Sequence, residues 1–551
     1  MADDYFDLGG HTRKVSTSSP EAQLWFDRGL VWCYAYNHEE SVACFKKAVA
    51  ADPDCALAHW GIAYAAGPNY NKPWEAFDDV DMSETVAEAH AAAKKALALR
   101  DGASPAEQAL IGAIQARYPQ DTPAEDPGIW NDAYASAMRE VYGKFPKDLD
   151  VATLFAEAVM NRTPWALWDL KSGAVAEGAD TEEAIEVLEK AMAQDGADRH
   201  PGLLHMYIHL MEMSPHPQRA LKAADRLRDL VPDAGHLRHM PTHIDVLCGN
   251  YHDVVLCNST AIAADRKFLD REGALNFYSL YRCHNYHFKL YGAMFLGQYA
   301  PAVAAADEMI STLPAELLQV ESPPMADWTE GFIPMKLHVL IRFGKWQEIL
   351  DTPLPEDRDL FCVTTAMLHY ARGIAHAVLG DTEAAAAEQA LFEKAYDKVP
   401  DTRYVFNNTC RDILTVAREM LKGELAYRRG DYDEAFAHLR QSVELDDNLP
   451  YDEPWAWMQP ARHALGALLL EQDRIEEAEA VYRADLGLDD TLSRACQHPD
   501  NVWSLHGYHE CLTKLGKTEE AKLVKLRLDL ALARADQPIK ASCFCRLKHA
   551  A

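Results

Sequence analysis

An all-α protein, a stack of antiparallel helix pairs, is what this sequence predicts, on three observations. A phrase with small residues and aromatics at fixed offsets recurs along the 551-residue chain, the mark of a repeat architecture. Apolar residues within each recurrence follow a helical period. Proline-rich breaks such as "YPQDTPAEDPG" (118–128), "TPLPEDRD" (352–359) and "NLPYDEPWAWMQP" (448–460) fall between the helical phrases and read as loops.

The opening residues 1–20 form an N-terminal extension with no apolar core suited to a signal peptide. Residues 21–535 then read as one continuous repeat body, with no Ser/Gly tract to separate domains, and residues 536–551 as a C-terminal tail. In the first unit Gly29 is followed by Trp32, Ser41, Phe45, Ala48 and Pro53, at offsets of 3, 12, 16, 19 and 24. The aromatic insertion "GPNYNKPWEAFDD" after it reads as a wall or packing element. Glu157 and Asn161 share one helix face, with an interhelical hydrogen bond as the simplest use. Comparable phrases surround Gly292, Gly373 and Gly423, and two more follow Gly466 and Gly507.

These phrases resemble the tetratricopeptide repeat, whose small residues let two helices approach and whose aromatic fills the gap. The resemblance covers most of the chain and implies a right-handed helical solenoid with a concave groove. From "FDRGLVWCYAYNHEES" through "HPGLLHMYIH" and "PDAGHLRHMPTHI" to "NVWSLHGY", the chain also resembles a group of large microbial tetratricopeptide-repeat proteins with the same histidine phrases. That likeness implies the fold and an unusual site, and implies no reaction.

Hydrophobic residues make up 48% of the chain, enough to bury a large core. The 85 acidic residues exceed the 54 basic ones for a formal charge of −31, which repels nucleic acid and anionic membrane surfaces alike. Stretches such as "TEEAIEVLEK" place this acidity on solvated helix faces. No apolar run approaches the roughly 20 residues of a membrane span, so a soluble, cytoplasmic protein is expected. Twelve scattered cysteines fit a reducing compartment. Cys543 and Cys545 read as free thiols in the tail.

The histidines carry the functional signal. Ten of 23 lie between residues 200 and 287, where an even spread would put about four. Residues three or four apart share a helix face, so His205 and His209 can grip one ion, with Glu212 on the same stripe. His236, His239 and His243 form a second stripe. The family's numbering puts His205 and His209 at positions 5 and 9 of one first helix, and His236, His239 and His243 at positions 2, 5 and 9 of the next, facing the groove. His287, with His284 beside it, has a less favourable register and approaches from the rim. Isolated His59, His90, His338, His438 and His463 read as core or surface residues, and His216 and His252 as turn residues. The residue after His205 is Met206, which excludes a zincin H-E-x-x-H motif. The His38-Glu39 pair reads as a helix start.

Two functions compete at this stage. The first is a metalloenzyme, hydrolase or oxidoreductase, with a mononuclear or dinuclear centre of zinc, copper or iron held by His205, His209, His236, His239 and His243 together. In it Glu212 is a ligand, a general base or an orienting carboxylate, and a small polar substrate lies beside Tyr207 and Tyr370. The second is a scaffold that binds a peptide in the groove, with the histidines structural. Oligomeric state stays open.

Overall fold

The structure, a computed structural model, describes residues 5–547; these are mostly helical, with loops such as 161–180 and 448–460 and a two-residue ladder of Tyr404–Val405 against Asn408–Thr409. Chain contacts divide it into two compact units, Met1–Ile244 with Thr260–Arg282, and Asp245–Ser259 with Cys283–Ala551.

In the first unit, α1 (Pro20–Tyr34) starts with Pro at its first turn and Ser19 accepting the Ala22 N–H, which satisfies a donor the helix leaves orphaned. Asn37 caps α2 (His38–Ala51) by accepting the Glu40 N–H. The third helix, α3 (Ala56–Ala66), is buried along nearly its whole length. Phe45, fully buried, lies between α1 and α3: a Cβ on Gly29 would meet its ring at 2.8 Å, and one on Gly61 at 2.5 Å. Ser41 donates its hydroxyl to the Gly29 carbonyl at 2.6 Å. The residues that define the repeated phrase are therefore the ones that bring the helices together. Phe45→Ala should cost about 3–5 kcal/mol, read as a fall in the first unit's melting temperature; an unchanged melt would mean the ring is not the spacer of the stack.

The stack continues through α4 (Asp79–Ala98), α5 (Pro105–Arg117), α6 (Gly128–Lys144), α7 (Leu149–Met160) and α8 (Thr181–Met192). It then reaches α9 (Pro201–Glu212), which packs on α7, α8 and α1. The N-terminal extension is folded onto this unit: Arg13 pairs with Asp148 and Asp150 at 2.8 and 2.9 Å, and Asp150 also binds His200 and the Tyr34 hydroxyl. Burial alone would raise the Asp150 pKa, but His200, His11 and Arg13 hold it well below the usual carboxylate range. Beyond α10 (Leu221–Leu227), the segment expected as one first helix is split into α11 (Gly235–His239) and α12 (Pro241–Leu247). The division falls at Pro241, which has no N–H to continue the ladder.

In the second unit, Tyr482 repeats the role of Phe45. A Cβ on Gly466 would meet its ring at 2.5 Å and one on Gly507 at 2.3 Å. Gly423 sits against Leu439 in the same manner, at 2.8 Å. The tail is anchored, with Arg546 paired to Glu510 and Ser542 bonded to the His463 carbonyl at 2.8 Å. Cys543 and Cys545, expected as free thiols, are joined in a disulfide. Among the described residues no helix is long and apolar enough to cross a membrane.

Candidate functional site

The spacing of His205 and His209 puts both on one face of α9, their ring centroids 4.7 Å apart. His236, on α11, faces His205 with ring centroids 5.1 Å apart. One nitrogen from each of these three rings lies within 4.8 Å of the others, and all three side chains are fully buried. Gly235 makes the approach of α11 feasible. A Cβ there would lie 1.9 Å from the Asp265 carboxylate, and Asp265 in turn accepts from the Tyr278 hydroxyl, which receives the His236 backbone N–H.

Hydrogen bonding assigns the tautomers. His205 Nδ1 lies 2.7 Å from the Tyr34 carbonyl, which can only accept, so Nδ1 carries the proton and Nε2 keeps its lone pair. His209 Nδ1 faces Glu212 Oε1 at 2.9 Å, and with Glu212 ionised that oxygen can only accept, so the consequence is the same. Both Nε2 atoms are buried without a hydrogen-bond partner. Leaving two such atoms buried and unsatisfied costs about 1–3 kcal/mol each. Burial holds the His209 pKa down at about 3, and burial together with His209 holds His205 well below 6.5. Both rings are therefore neutral at pH 7, the form that ligates a metal.

Glu212 has a second partner: its Oε2 accepts from His243 Nδ1 at 2.8 Å. His243 Nε2 in turn lies 2.7 Å from His239 Nε2, so one proton from His239 satisfies that pair. The five histidines of the two stripes thus divide into His205, His209 and His236 around one space, and His239 with His243 in a hydrogen-bonded pair. Glu212 ties the two groups together.

Aromatic rings enclose the trio. Tyr36 stacks on His236 and His209 at 5.5 and 5.8 Å and tilts onto His205 at 4.6 Å. Tyr70 and Trp165 cover His209 from 5.1 and 5.9 Å, and Tyr281 meets His236 edge-on at 4.9 Å. Tyr36 and Trp165 hold φ of +56° and +58°, a left-handed backbone that costs an aromatic residue of order 1–3 kcal/mol and clusters at functional sites. Beside the trio a cleft of about 320 Å³ has Tyr36 and Tyr281 in its wall, so cleft and histidines share two rings.

No protein-family model matches this sequence, and no curated protein matches it. Among solved structures the chain is similar to the APC/C hetero-tetramer Cut9-Hcn1, at 12% identity over 94% of each chain with a TM-score of 0.28. It is similar to yeast Tom70, at 13% identity over 93% of this chain and 98% of that one, TM-score 0.30. A third is Naa15/Naa10 bound to HypK-THB, at 14% over 93% and 70%, TM-score 0.20. At these values the likenesses carry no inference. The packing itself does: Phe45 between Gly29 and Gly61, and Tyr482 between Gly466 and Gly507, are the aromatic and small residues of the repeated phrase brought into contact. The helix pairs pack through the small and aromatic residues by which the sequence resembles the tetratricopeptide repeat.

A tetratricopeptide register places the histidines on an open inner face, and here the structure differs. His205, His209, His236 and His239 are 0% exposed and His243 1%, and the Tyr36, Tyr70 and Trp165 rings close over the first three. Tyr207 is turned away from the trio: two residues from both His205 and His209, it lies on the other side of α9 and donates to Glu189 at 2.8 Å. Tyr370 belongs to the second unit, buried against Trp457. His287 also belongs to the second unit, with Nε2 2.6 Å from the Met458 sulfur and its pKa held at about 3 by burial and by His338. Its neighbour His284 packs on Phe406 and Phe288. Glu157 takes the interhelical role expected of it, accepting from Tyr64.

Tyr36, Tyr34 and Trp165 are absent from the sequence-level site. The Tyr34 contribution is a backbone carbonyl, which no side-chain pattern signals. Tyr70 lies in the aromatic insertion already read as a wall.

Proposed function

We propose that the first unit holds one transition-metal ion between His205, His209 and His236, and that the protein is a metal-dependent enzyme acting on a small polar molecule admitted by the adjoining cleft. The observation that carries this is the pair of buried, partnerless Nε2 atoms on His205 and His209, each aimed by a hydrogen bond at its own Nδ1. An imidazole whose far nitrogen is held by a carbonyl or carboxylate is the usual arrangement around a protein-bound metal. An all-nitrogen donor set favours zinc, copper or iron over magnesium or calcium. Three protein ligands leave a coordination position open, as in catalytic sites; an ion there supplies Lewis acidity or a more acidic bound water. Of its three candidate roles, Glu212 fits the orienting one, since both oxygens are engaged by imidazole Nδ1 atoms.

Cobalt(II) added to chelator-stripped protein tests this. A low-coordinate nitrogen site should give intense visible absorption that saturates at one ion per chain. A spectrum like that of the aqueous ion would overturn the proposal.

A peptide-binding scaffold is the second reading, and one observation favours it. Leu523, Leu526 and Leu530 are 67%, 66% and 74% exposed along one stripe of the helix Thr518–Leu532, and exposed apolar stripes mark interaction surfaces. Under that reading Leu526→Glu abolishes partner binding and histidine substitutions do not touch it.

A further inference from the structure

The cleft beside the histidines has a chemistry of its own. Its wall is aromatic, with Tyr36, Tyr278, Tyr281, Phe77 and Phe277 contributing rings. Two of these already accommodate a cation: Lys72 Nζ sits 3.9 Å from the Phe77 centroid and 4.8 Å from that of Phe277. Lys72 is itself neutralised by Asp81 at 2.5 Å, and Glu88 by Lys46 at 2.6 Å. Glu39 accepts the Phe277 backbone N–H at 3.3 Å and feels the charge of Lys72, whose ion pair is with Asp81. With Lys72, Asp81, Glu88 and Glu39 all lining it, the cleft carries a net negative charge.

Two polar atoms in the wall are unsatisfied. His38 Nδ1 is committed to the Ala65 carbonyl at 2.7 Å, so its Nε2 is an acceptor, buried and without a partner. Asn37, 1% exposed, uses its side-chain oxygen to cap α2, while its Nδ2 donors are buried and unpartnered. An acidic, ring-lined pocket recognises a cation through the negative faces of its rings. A lone-pair acceptor selects a cation that carries N–H, and an amide donor calls for an oxygen next to it. A carboxylate would instead confront Glu39 and the His38 lone pair. The positive end of α2 is already met by Glu39 and Glu40, so it leaves no demand for an anion.

We infer that this cleft recognises a small primary amine, an ammonium group with a hydroxyl or carbonyl oxygen close by. The ammonium lies against the Tyr36 and Tyr281 rings, donating to Glu39 and His38 Nε2, and the oxygen accepts from Asn37. That this amine is the substrate of the metal centre rests on the function proposed above; recognition by the cleft does not.

Ethanolamine, tetramethylammonium and propionate titrated into chelator-stripped protein test the inference without the metal. Ethanolamine should bind saturably, at least about tenfold more tightly than tetramethylammonium, which has no N–H, and propionate should not bind. Glu39→Gln, at an exposed position that tolerates the change, should weaken ethanolamine at least about tenfold with circular dichroism unchanged. Propionate binding more tightly than ethanolamine, no saturation by ethanolamine up to about 10 mM, or an unaltered Glu39→Gln isotherm would each overturn it. Ethanolamine binding in a protein that fails the cobalt titration would sink the metal centre alone; cobalt binding without ethanolamine binding would sink the amine alone.

Discussion

Replacing His209 with alanine is expected to lower affinity for zinc or cobalt by more than about 100-fold, because it removes one of three ligands; even an orienting partner is worth about 10–100-fold. His205→Ala and His236→Ala should behave alike. Glu212→Gln should fall within that smaller range, since the amide keeps an accepting oxygen for one imidazole and presents N–H donors to the other. His239→Ala should retain the ion within about tenfold, because His239 hydrogen-bonds to His243 and meets the trio by packing on the His236 ring at 5.6 Å. All of these side chains are fully buried, so the alanine variants also lose packing, and each melt must accompany its titration. A His239→Ala variant as metal-free as His209→Ala would show that the two groups are one site, and normal binding by His209→Ala would remove the trio.

Acid should unfold the first unit of the metal-stripped protein before the second. His38 and His209 are held neutral with pKa values of about 4 and 3, and His205 well below 6.5, all chiefly by burial. In the unfolded chain each titrates near 6.5. Below that pH the unfolded state binds more protons than the folded one, so stability is fully present above pH 6.5 and drains as pH falls toward the folded values. Three imidazoles contribute a slope of ~4 kcal/mol per pH unit, against a total domain stability of about 5–15 kcal/mol. Glu157, Glu39 and Asp27, whose pKa values burial raises, oppose this, and His200, lowered by burial, adds to it. In the second unit His287, His338 and His463 act in the same direction, but Asp446, pushed up to about 8 by burial and by Asp447, Asp452, raised well above its usual range by burial, and Glu330 and Glu424, also raised by burial, act against them. Hydrogen exchange between pH 7 and 5 should therefore lose protection in 201–212 ahead of 461–471. Equal protection of both at pH 5 would contradict the assignment of neutral buried imidazoles.

The fold was legible because its determinants are local and repeated. Gly29, Ser41 and Phe45 stand at offsets that a helix pair needs, and Gly466, Tyr482 and Gly507 reproduce the contact. The i, i+4 spacing of His205 and His209 likewise specifies a shared face before any tertiary information. The division of the five histidines was not legible: it depends on the break at Pro241 and on Glu212 reaching His243 thirty-one residues away. Nor was burial. The rings that close the site come from Tyr36 and Trp165, whose left-handed backbone is set by their turns, and from Tyr70 in a loop. Tyr207 fails for a reason the same helical geometry supplies, since a residue two positions from each ligand points the other way.

The central claim is that three imidazoles in the first unit form a ready ligand set, and zinc titration of chelator-stripped wild-type protein at pH 7.5 tests it most directly. Saturation at one tightly held ion per chain, lost in His205→Ala and His209→Ala and kept in His239→Ala, is the result this account predicts. Protein that takes up no zinc, copper or iron at micromolar concentration would contradict it, leaving the three imidazoles as a structural feature of a helical-repeat scaffold.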